Sequence, residues 1–300
     1  MEKTLLSVVG PTAIGKTKLA IALARYYDTQ IISADSRQFY KEMEIGTAVP
    51  DSKELSLAKH HFIQHKSILE SYSVGDFELD ALQLVEKLFE EKDMVIMVGG
   101  SGLYIDAVIR GLDHFPKIDS NIRKQLNERL HRHGIEKLQE ELKKMDSSYY
   151  KKVDINNPHR LVRALEVCIG TGKPYSSFLY SEKKNRPFRT ITIGLEAERA
   201  LVYERINKRV DKMIERGLID EAKSLAKHQE LNALKTVGYK ELFKFFNGEW
   251  SLDFAISEIK KNTRRFAKRQ MTWFKKNRDI LWFPYDKNIQ TVLSELNQKL

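Results

Sequence analysis

The sequence predicts an α/β protein: a core built on a parallel sheet, interrupted by an inserted helical lobe and closed by C-terminal helices. Three observations predict it. A short apolar run enters a glycine-rich turn and then a helix at the start of the chain. Apolar strands go on alternating with amphipathic helices over the first third, and from Asp113 the texture turns charged and helix-favouring before strand character returns at Thr190.

Residues 5–9 form the first expected strand. Residues 18–26, with Leu19, Ile21, Ala22, Leu23 and Tyr26 at helical spacing, form the first helix. A second strand is expected over 30–34, a helix over 77–92, a third strand over 94–98 and a helix from Gly102 towards Arg110. Strands alternating with helices imply a parallel sheet covered on both faces. Residues 113–186, typified by NIRKQLNERLHRHGIEKLQEELKKM, lack β-branched runs and read as the helical insertion. Residues 190–195 (TITIGL) rejoin the sheet, and long helices are expected over 200–227 and 254–275. The core is thus discontinuous, 1–112 with 187–300, around an insertion at 113–186.

Composition narrows the function. The formal net charge of +10 favours an acidic partner such as nucleic acid, a phosphorylated metabolite or an anionic surface. No apolar run approaches the ~18 residues of a membrane span, and MEKTLLSVVG reaches the glycine motif without a signal-like stretch. Cys168, the one cysteine, has no internal disulfide partner, so a reducing, cytoplasmic setting is expected. Its apolar context LEVCIG marks it as a packing thiol.

Gly10-Pro11-Thr12-Ala13-Ile14-Gly15-Lys16-Thr17 matches G-x-x-x-x-G-K-[ST] in the strand–turn–helix context the motif requires. Glycines let successive backbone N–H groups and a helix N-terminus face one anion, Lys16 adds a point charge, and Thr17 offers a hydroxyl to Mg²⁺. The loop fixes a di- or triphosphate but not the molecule carrying it. An ATPase usually closes its metal-binding strand on an acid. Here residues 94–98 run into Gly99-Gly100-Ser101-Gly102, read either as a second backbone loop with Ser101 reaching a substrate or as a tight turn. Asp35 follows the second strand, where open parallel sheets carry ligands. It is the catalytic candidate, with a helix cap or an indirect Mg²⁺ partner as alternatives. Arg37, Gln38 and Tyr40 behind it are of types that hydrogen-bond or stack on a base.

Two basic surfaces stand out. KKNTRRFAKRQMTWFKKNR, from Lys260 to Arg278, carries nine basic residues and no acid. On a helix Lys261, Arg264, Arg265, Lys268, Lys275 and Lys276 share a broad face, while Ile259, Phe266 and Trp273 recur every seven residues as expected core. The stripe reads as a polyphosphate-binding face or as a solvated one. In NNPHRLVR, Asn157 caps a helix with Pro158 in its first turn, crowding His159, Arg160 and Arg163 at its positive end. A bound phosphate would relieve that crowding, and an Arg163–Glu166 pair is the alternative. His60, His61 and His65 lack the cysteines or acids of a zinc site.

Taken together, GPTAIGKT, SADSRQFY, IGTAVP, VGGSGLY, NPHRLVRALEV, TVGYKEL and FAKRQMTWF resemble the tRNA dimethylallyltransferase family, in this order and across nearly the whole chain. The resemblance implies a P-loop core with a helical insertion. It also implies transfer of a dimethylallyl group from dimethylallyl diphosphate to N6 of the adenosine 3′ of the anticodon, in tRNAs reading codons that begin with U. The phosphate loop is then reassigned from ATP to the prenyl donor's diphosphate, with Lys16 and a Thr17-bound Mg²⁺ stabilising the leaving group. Asp35 matches the family's general base and Arg209 its diphosphate-binding arginine, with Thr12 in the same pocket. Contacts to tRNA map onto Asp35, Ser36, Arg37, Gln38, Ser101, Arg123, His159, Arg160, Leu161, Val162 and Arg163. Gln64 departs from the family's usual aspartate, and with no Cys/His zinc extension the chain looks like the compact bacterial form. A monomer, with tRNA and dimethylallyl diphosphate as partners and no membrane association, is expected. The competing readings are an isopentenyltransferase acting on free adenine nucleotides, a small-molecule P-loop kinase and a non-catalytic nucleic-acid-binding module that uses the loop as a phosphate clamp.

Overall fold

Near-continuous runs of branched aliphatic residues are what a strand covered on both faces requires, and TLLSVV and MVIMV supply them. In the computed structural model, which describes residues 2–179 and 185–300, both runs are wholly buried strands. The chain divides into two units, Met1–Ile109 with Arg186–Leu300, and Arg110–Asn185.

The first unit opens with β1 (Thr4–Val9), α1 (Lys16–Tyr26), β2 (Ile31–Ser33), α2 (Ser52–Leu57), β3 (His60–His61), α3 (Val74–Glu91), β4 (Met94–Val98) and α4 (Gly102–Arg110). The second unit holds α5 (Ser120–Met145), α6 (Ser147–Tyr150) and α7 (Pro158–Thr171). The first resumes with β5 (Arg189–Glu196), α8 (Arg199–Glu215), α9 (Leu218–Leu225), α10 (Tyr239–Phe246), α11 (Leu252–Phe274), β6 (Leu281–Pro284) and α12 (Ile289–Asn297). The six strands pair in parallel in the order β3-β2-β4-β1-β5-β6. Alternating side chains feed two cores, Leu5, Val9, Ile32, Val95 and Met97 on one face and Leu6, Val8, Ile31, Ile96 and Ile193 on the other.

In the second unit α5 and α7 share a core of Leu126, Leu138, Leu142, Leu161 and Leu165. Asn157 caps α7, its side chain accepting from the Arg160 N–H at 3.3 Å, with Pro158 in the first turn. Helix α5 is kinked at Gly134. The last stretch of the expected insertion, 180–184, lies outside the described residues.

Two expectations need correction, and two strands were not expected. The helix expected over 200–227 is two, parted at Gly217, whose φ of 99° interrupts the turn. Strands β3 and β6 are too short, two and four residues, to show a period in the sequence. Phe266 and Trp273 are not core: they are 37% and 38% exposed, against 2% for Ile259. A strict seven-residue repeat drifts by about 20° per heptad around a straight helix. The buried stripe of α11 therefore moves to Ala267, Gln270 and Phe274.

Candidate active site

Strand order alone assembles the site. Strands β2, β4 and β1 are neighbours, with Ser33 opposite Val98 and Val98 opposite Val8. Whatever follows them meets at one edge, so Asp35–Gln38, Gly99–Gly102 and the loop from Gly10 to Thr17 lie side by side at the carboxyl ends, where such sheets bind ligands.

The loop turns through positive φ at Gly10 (140°), Ala13 (65°) and Gly15 (111°) and delivers Lys16 and Thr17 to the first turn of α1. Gly10 is required twice over, by its φ and because a Cβ there would come 2.6 Å from the Leu195 carbonyl oxygen. Pro11, Ala13 and Ile14 are buried and act through the backbone. Lys16 Nζ donates to the Pro11 carbonyl at 2.8 Å. Burial pushes Lys16 down to about 8, with Asp35 opposing the shift and Arg209 adding to it.

Helix α8 brings two arginines four residues apart onto the loop. Arg205 Nε donates to the Ala13 carbonyl at 2.8 Å, and Arg209 Nη1 reaches Thr12 Oγ1 at 3.5 Å. Burial, then the nearby Arg205, disfavours the charge on Arg209. A desolvated guanidinium beside Lys16 and a second arginine is a site for an anion of multiple charge.

Asp35, Ser36, Ser101, Thr12 and Arg209 line one cavity of about 320 Å³ whose remaining wall mixes the apolar side chains of Val210, Met213, Leu218, Val237, Ile259 and Phe266 with the cationic ones of Arg37, Lys235, Lys240 and Arg269. Asp35 Oδ1 accepts the Arg37 N–H at 3.1 Å, and Ser101 Oγ accepts the Ser36 N–H at 3.2 Å. Arg37, which also lines the cavity, donates from Nη1 to the Asn232 and Ala233 carbonyls at 2.9 and 3.1 Å. Gln38 Nε2 donates to those of Thr47 and Ala48 at 3.1 and 2.9 Å. Both side chains therefore brace the cavity's loops, and Tyr40 is buried. Of the residues expected to meet a base here, Asp35, Ser36, Arg37 and Ser101 line the cavity, and Gln38 and Tyr40 do not.

In the second unit His159 and Arg160 are exposed at the start of α7. Arg163 Nη1 donates to Glu166 Oε2 at 2.8 Å, and Arg123 grips the same carboxylate with Nε and Nη2 at 2.9 and 2.6 Å. Arg123 thus ties α5 to α7. Leu161 and Val162 are 0% and 6% exposed on the core face of α7, so their side chains are packed inside and only their backbone is left for the contact expected of them. Cys168 is buried, and burial pushes its thiol up.

The basic stripe of α11 is partly neutralised from within. Lys260 pairs with Asp211 at 2.5 Å, Lys261 with Glu258, and Lys275 with Glu196 at 2.6 Å. Arg264 donates to Asn207 at 2.8 Å and lies over Tyr203. Arg265, Lys268, Arg269 and Lys276 are exposed, and no carboxylate among the described residues pairs with them. Arg269 also lines the cavity.

Around the histidines, His61 Nε2 meets Gln30 Oε1 at 2.6 Å, His60 Nδ1 meets the Ala58 carbonyl at 2.8 Å, and His65 sits edge-on to Phe39, Phe62 and Tyr72. The described residues contain no group of three or more His, Cys, Asp or Glu arranged to hold a metal. No described helix is long and apolar enough to cross a membrane.

Sequence reasoning missed three participants. Arg205 was signalled by its i, i+4 spacing from Arg209. Gln270, 5% exposed on α11, was signalled by an amide falling in the buried stripe. Glu221 of α9, which accepts the Glu44, Ile45 and Gly46 N–H groups at 3.0, 2.7 and 2.9 Å, carried no local signal.

The family model for IPP transferase matches residues 38–277. A tRNA dimethylallyltransferase of Christiangramia forsetii is 59% identical over 300 residues, covering 100% of this chain and 99% of the relative. One of Flavobacterium johnsoniae is 54% identical, over 99% and 98%. The crystal structure of a Bacillus halodurans tRNA isopentenylpyrophosphate transferase superposes with a TM-score of 0.72 at 36% identity, covering 99% of this chain and 95% of that one. A eukaryotic dimethylallyltransferase acting on tRNA shares the fold, with a TM-score of 0.79 at 24% identity over 99% and 77%.

Proposed function

We propose, from the premise that this chain belongs to the IPP transferase family and is a prenyl-transferring enzyme of tRNA modification, that it moves a dimethylallyl group from dimethylallyl diphosphate to N6 of the adenosine immediately 3′ of the anticodon. The tRNAs concerned are those reading codons that begin with U. The observation that carries this reading is the cavity that Asp35 and Ser101 share with Arg209, Thr12 and the apolar side chains of Val210, Met213, Val237 and Phe266. A base, an anion clamp and a hydrocarbon surface are what this transfer needs in one place.

In the proposed reaction the allylic C–O bond breaks, the C–N6 bond forms, and diphosphate leaves. The adenine amine is a weak nucleophile because its lone pair is delocalised into the ring, so Asp35 takes the N6 proton as the new bond forms. Negative charge growing on the diphosphate is met by Lys16, Arg209 and the loop N–H groups other than that of Thr12, which Gln270 accepts. Thr17, on the first turn of α1, suits Mg²⁺, which takes hard oxygen ligands and is commonly held by few protein groups together with substrate phosphates. When bound, that ion would neutralise part of the diphosphate charge. On this reading His159, Arg160 and the unpaired part of the α11 stripe contact the RNA backbone. The protein acts as a monomer in the cytoplasm.

The test is to incubate the protein with Mg²⁺, dimethylallyl diphosphate and an unmodified anticodon stem-loop bearing the target adenosine, and to measure the RNA mass. A gain of one dimethylallyl group, absent with AMP as acceptor, supports the proposal. Prenylation of AMP alone overturns it in favour of a nucleotide-acting enzyme.

A further inference from the structure

Gln270 lies on α11, far in sequence from either glycine loop, yet its side chain is buried between the two. Its Oε1 accepts the Thr12 N–H at 2.9 Å and its Nε2 donates to the Gly100 carbonyl at 3.0 Å. A buried amide is costly unless both ends are satisfied, and here each end is satisfied by a different loop. A Cβ on Gly100 would come 2.1 Å from Gln270 Nε2, so a side chain there would push the amide away from its present place between the loops. Thr12 belongs to the anion clamp, beside Arg209. Ser101, next to Gly100, accepts the Ser36 N–H beside Asp35.

We propose that Gln270 is a positioning residue that couples the two halves of the site, holding the phosphate loop and the 99–102 loop in one register. An anion gripped by the first loop is then fixed relative to Ser101, Ser36 and Asp35. An apolar residue in the same place would fill the volume and leave the loops independent. Aspartate or asparagine would be a methylene too short to reach both backbones. The proposal rests on the functional reading above for its acceptor half; the diphosphate half stands on geometry alone.

Two variants test it. Gln270→Met keeps the volume and removes both hydrogen bonds, whereas Gln270→Glu keeps the acceptor for Thr12, loses the donor to Gly100 and places a negative charge beside the anion clamp. For each, thermal stability, calorimetric affinity for inorganic diphosphate with Mg²⁺, and kcat and KM on the stem-loop are measured. With two hydrogen bonds removed, Gln270→Met weakens diphosphate about tenfold and lowers kcat by about ten- to a hundredfold. The KM for RNA stays within about twofold. Gln270→Glu weakens diphosphate further than Gln270→Met. Unchanged diphosphate affinity and kcat in either folded variant, or a loss confined to thermal stability, overturns the proposal. Wild-type protein that binds diphosphate but leaves the stem-loop unmodified overturns the functional reading instead, and the diphosphate arm still decides the role of Gln270.

Discussion

Tyr239 and Glu221 are joined by a 2.6 Å hydrogen bond from phenol to carboxylate, and the same carboxylate collects three backbone N–H groups from the turn at Glu44–Gly46. Gly46 lies against the Tyr239 ring, where a Cβ would come within 2.6 Å. The turn leads into Thr47 and Ala48, which line the cavity. One acid therefore sets a wall of the site without touching it.

Glu221→Ala accordingly strands three N–H groups and a buried phenol. Hydrogen bonds to a charged group are worth about 1.5–3 kcal/mol each, partly recovered from water at this half-exposed position. A loss of about 2 kcal/mol in urea unfolding is expected, together with a raised KM for the prenyl donor. Unaltered stability would show that the turn holds its shape without Glu221.

The sequence showed the parts of the site that depend on neighbours in the chain. The phosphate loop, Asp35 after its strand and the Asn157 cap are local devices, readable because their residue types are dictated by backbone geometry within a few positions. Gln270, Glu221 and the bracing of Gln38 against Thr47 and Ala48 are tertiary, and nothing beside them in sequence specifies a partner. The misplacement of Phe266 and Trp273 has a different origin. The seven-residue period was real, but it tracks the edge of a straight helix rather than its centre.

Asp35 is the test of the proposed proton transfer. Asp35→Asn preserves shape and removes the base, so single-turnover prenylation should fall about 10²–10⁴-fold, the range of general-base contributions. Affinity for inorganic diphosphate should be retained, because Asp35 is no part of the anion clamp. Turnover equal to wild type would remove Asp35 from the chemistry.

Lys16 gives the site a pH dependence. Its free-state pKa is lowered to about 8 chiefly by burial, and a bound diphosphate raises it by favouring the ammonium form. Binding is therefore coupled to the protonated lysine: affinity is fully present below about pH 8 and declines as pH rises from there towards the bound-state value. Lys16→Arg stays charged throughout this range. Diphosphate affinity measured from about pH 7 to 9.5 should fall for wild type relative to Lys16→Arg, and parallel profiles would place the titrating group elsewhere.

The α11 stripe separates solvated charge from binding charge by residue. Lys260 and Lys275 are committed to Asp211 and Glu196, whereas Arg265 and Lys268 are exposed with no paired carboxylate among the described residues. Each phosphate neutralised by a protein cation releases condensed counterions, so the slope of log affinity against log salt counts the cations that engage RNA. Reversal of Arg265 and Lys268 to glutamate should weaken stem-loop binding and flatten that slope by about one for each phosphate no longer neutralised. Reversal of Lys260, on the helix, and Lys275, at its C-cap, introduces the same charge change but breaks internal pairs, so stability should fall and the slope should change less. Matching slopes for the two double variants would mean that the helix acts only through its summed field; a change confined to the first pair would locate the RNA backbone on the face that carries Arg265 and Lys268.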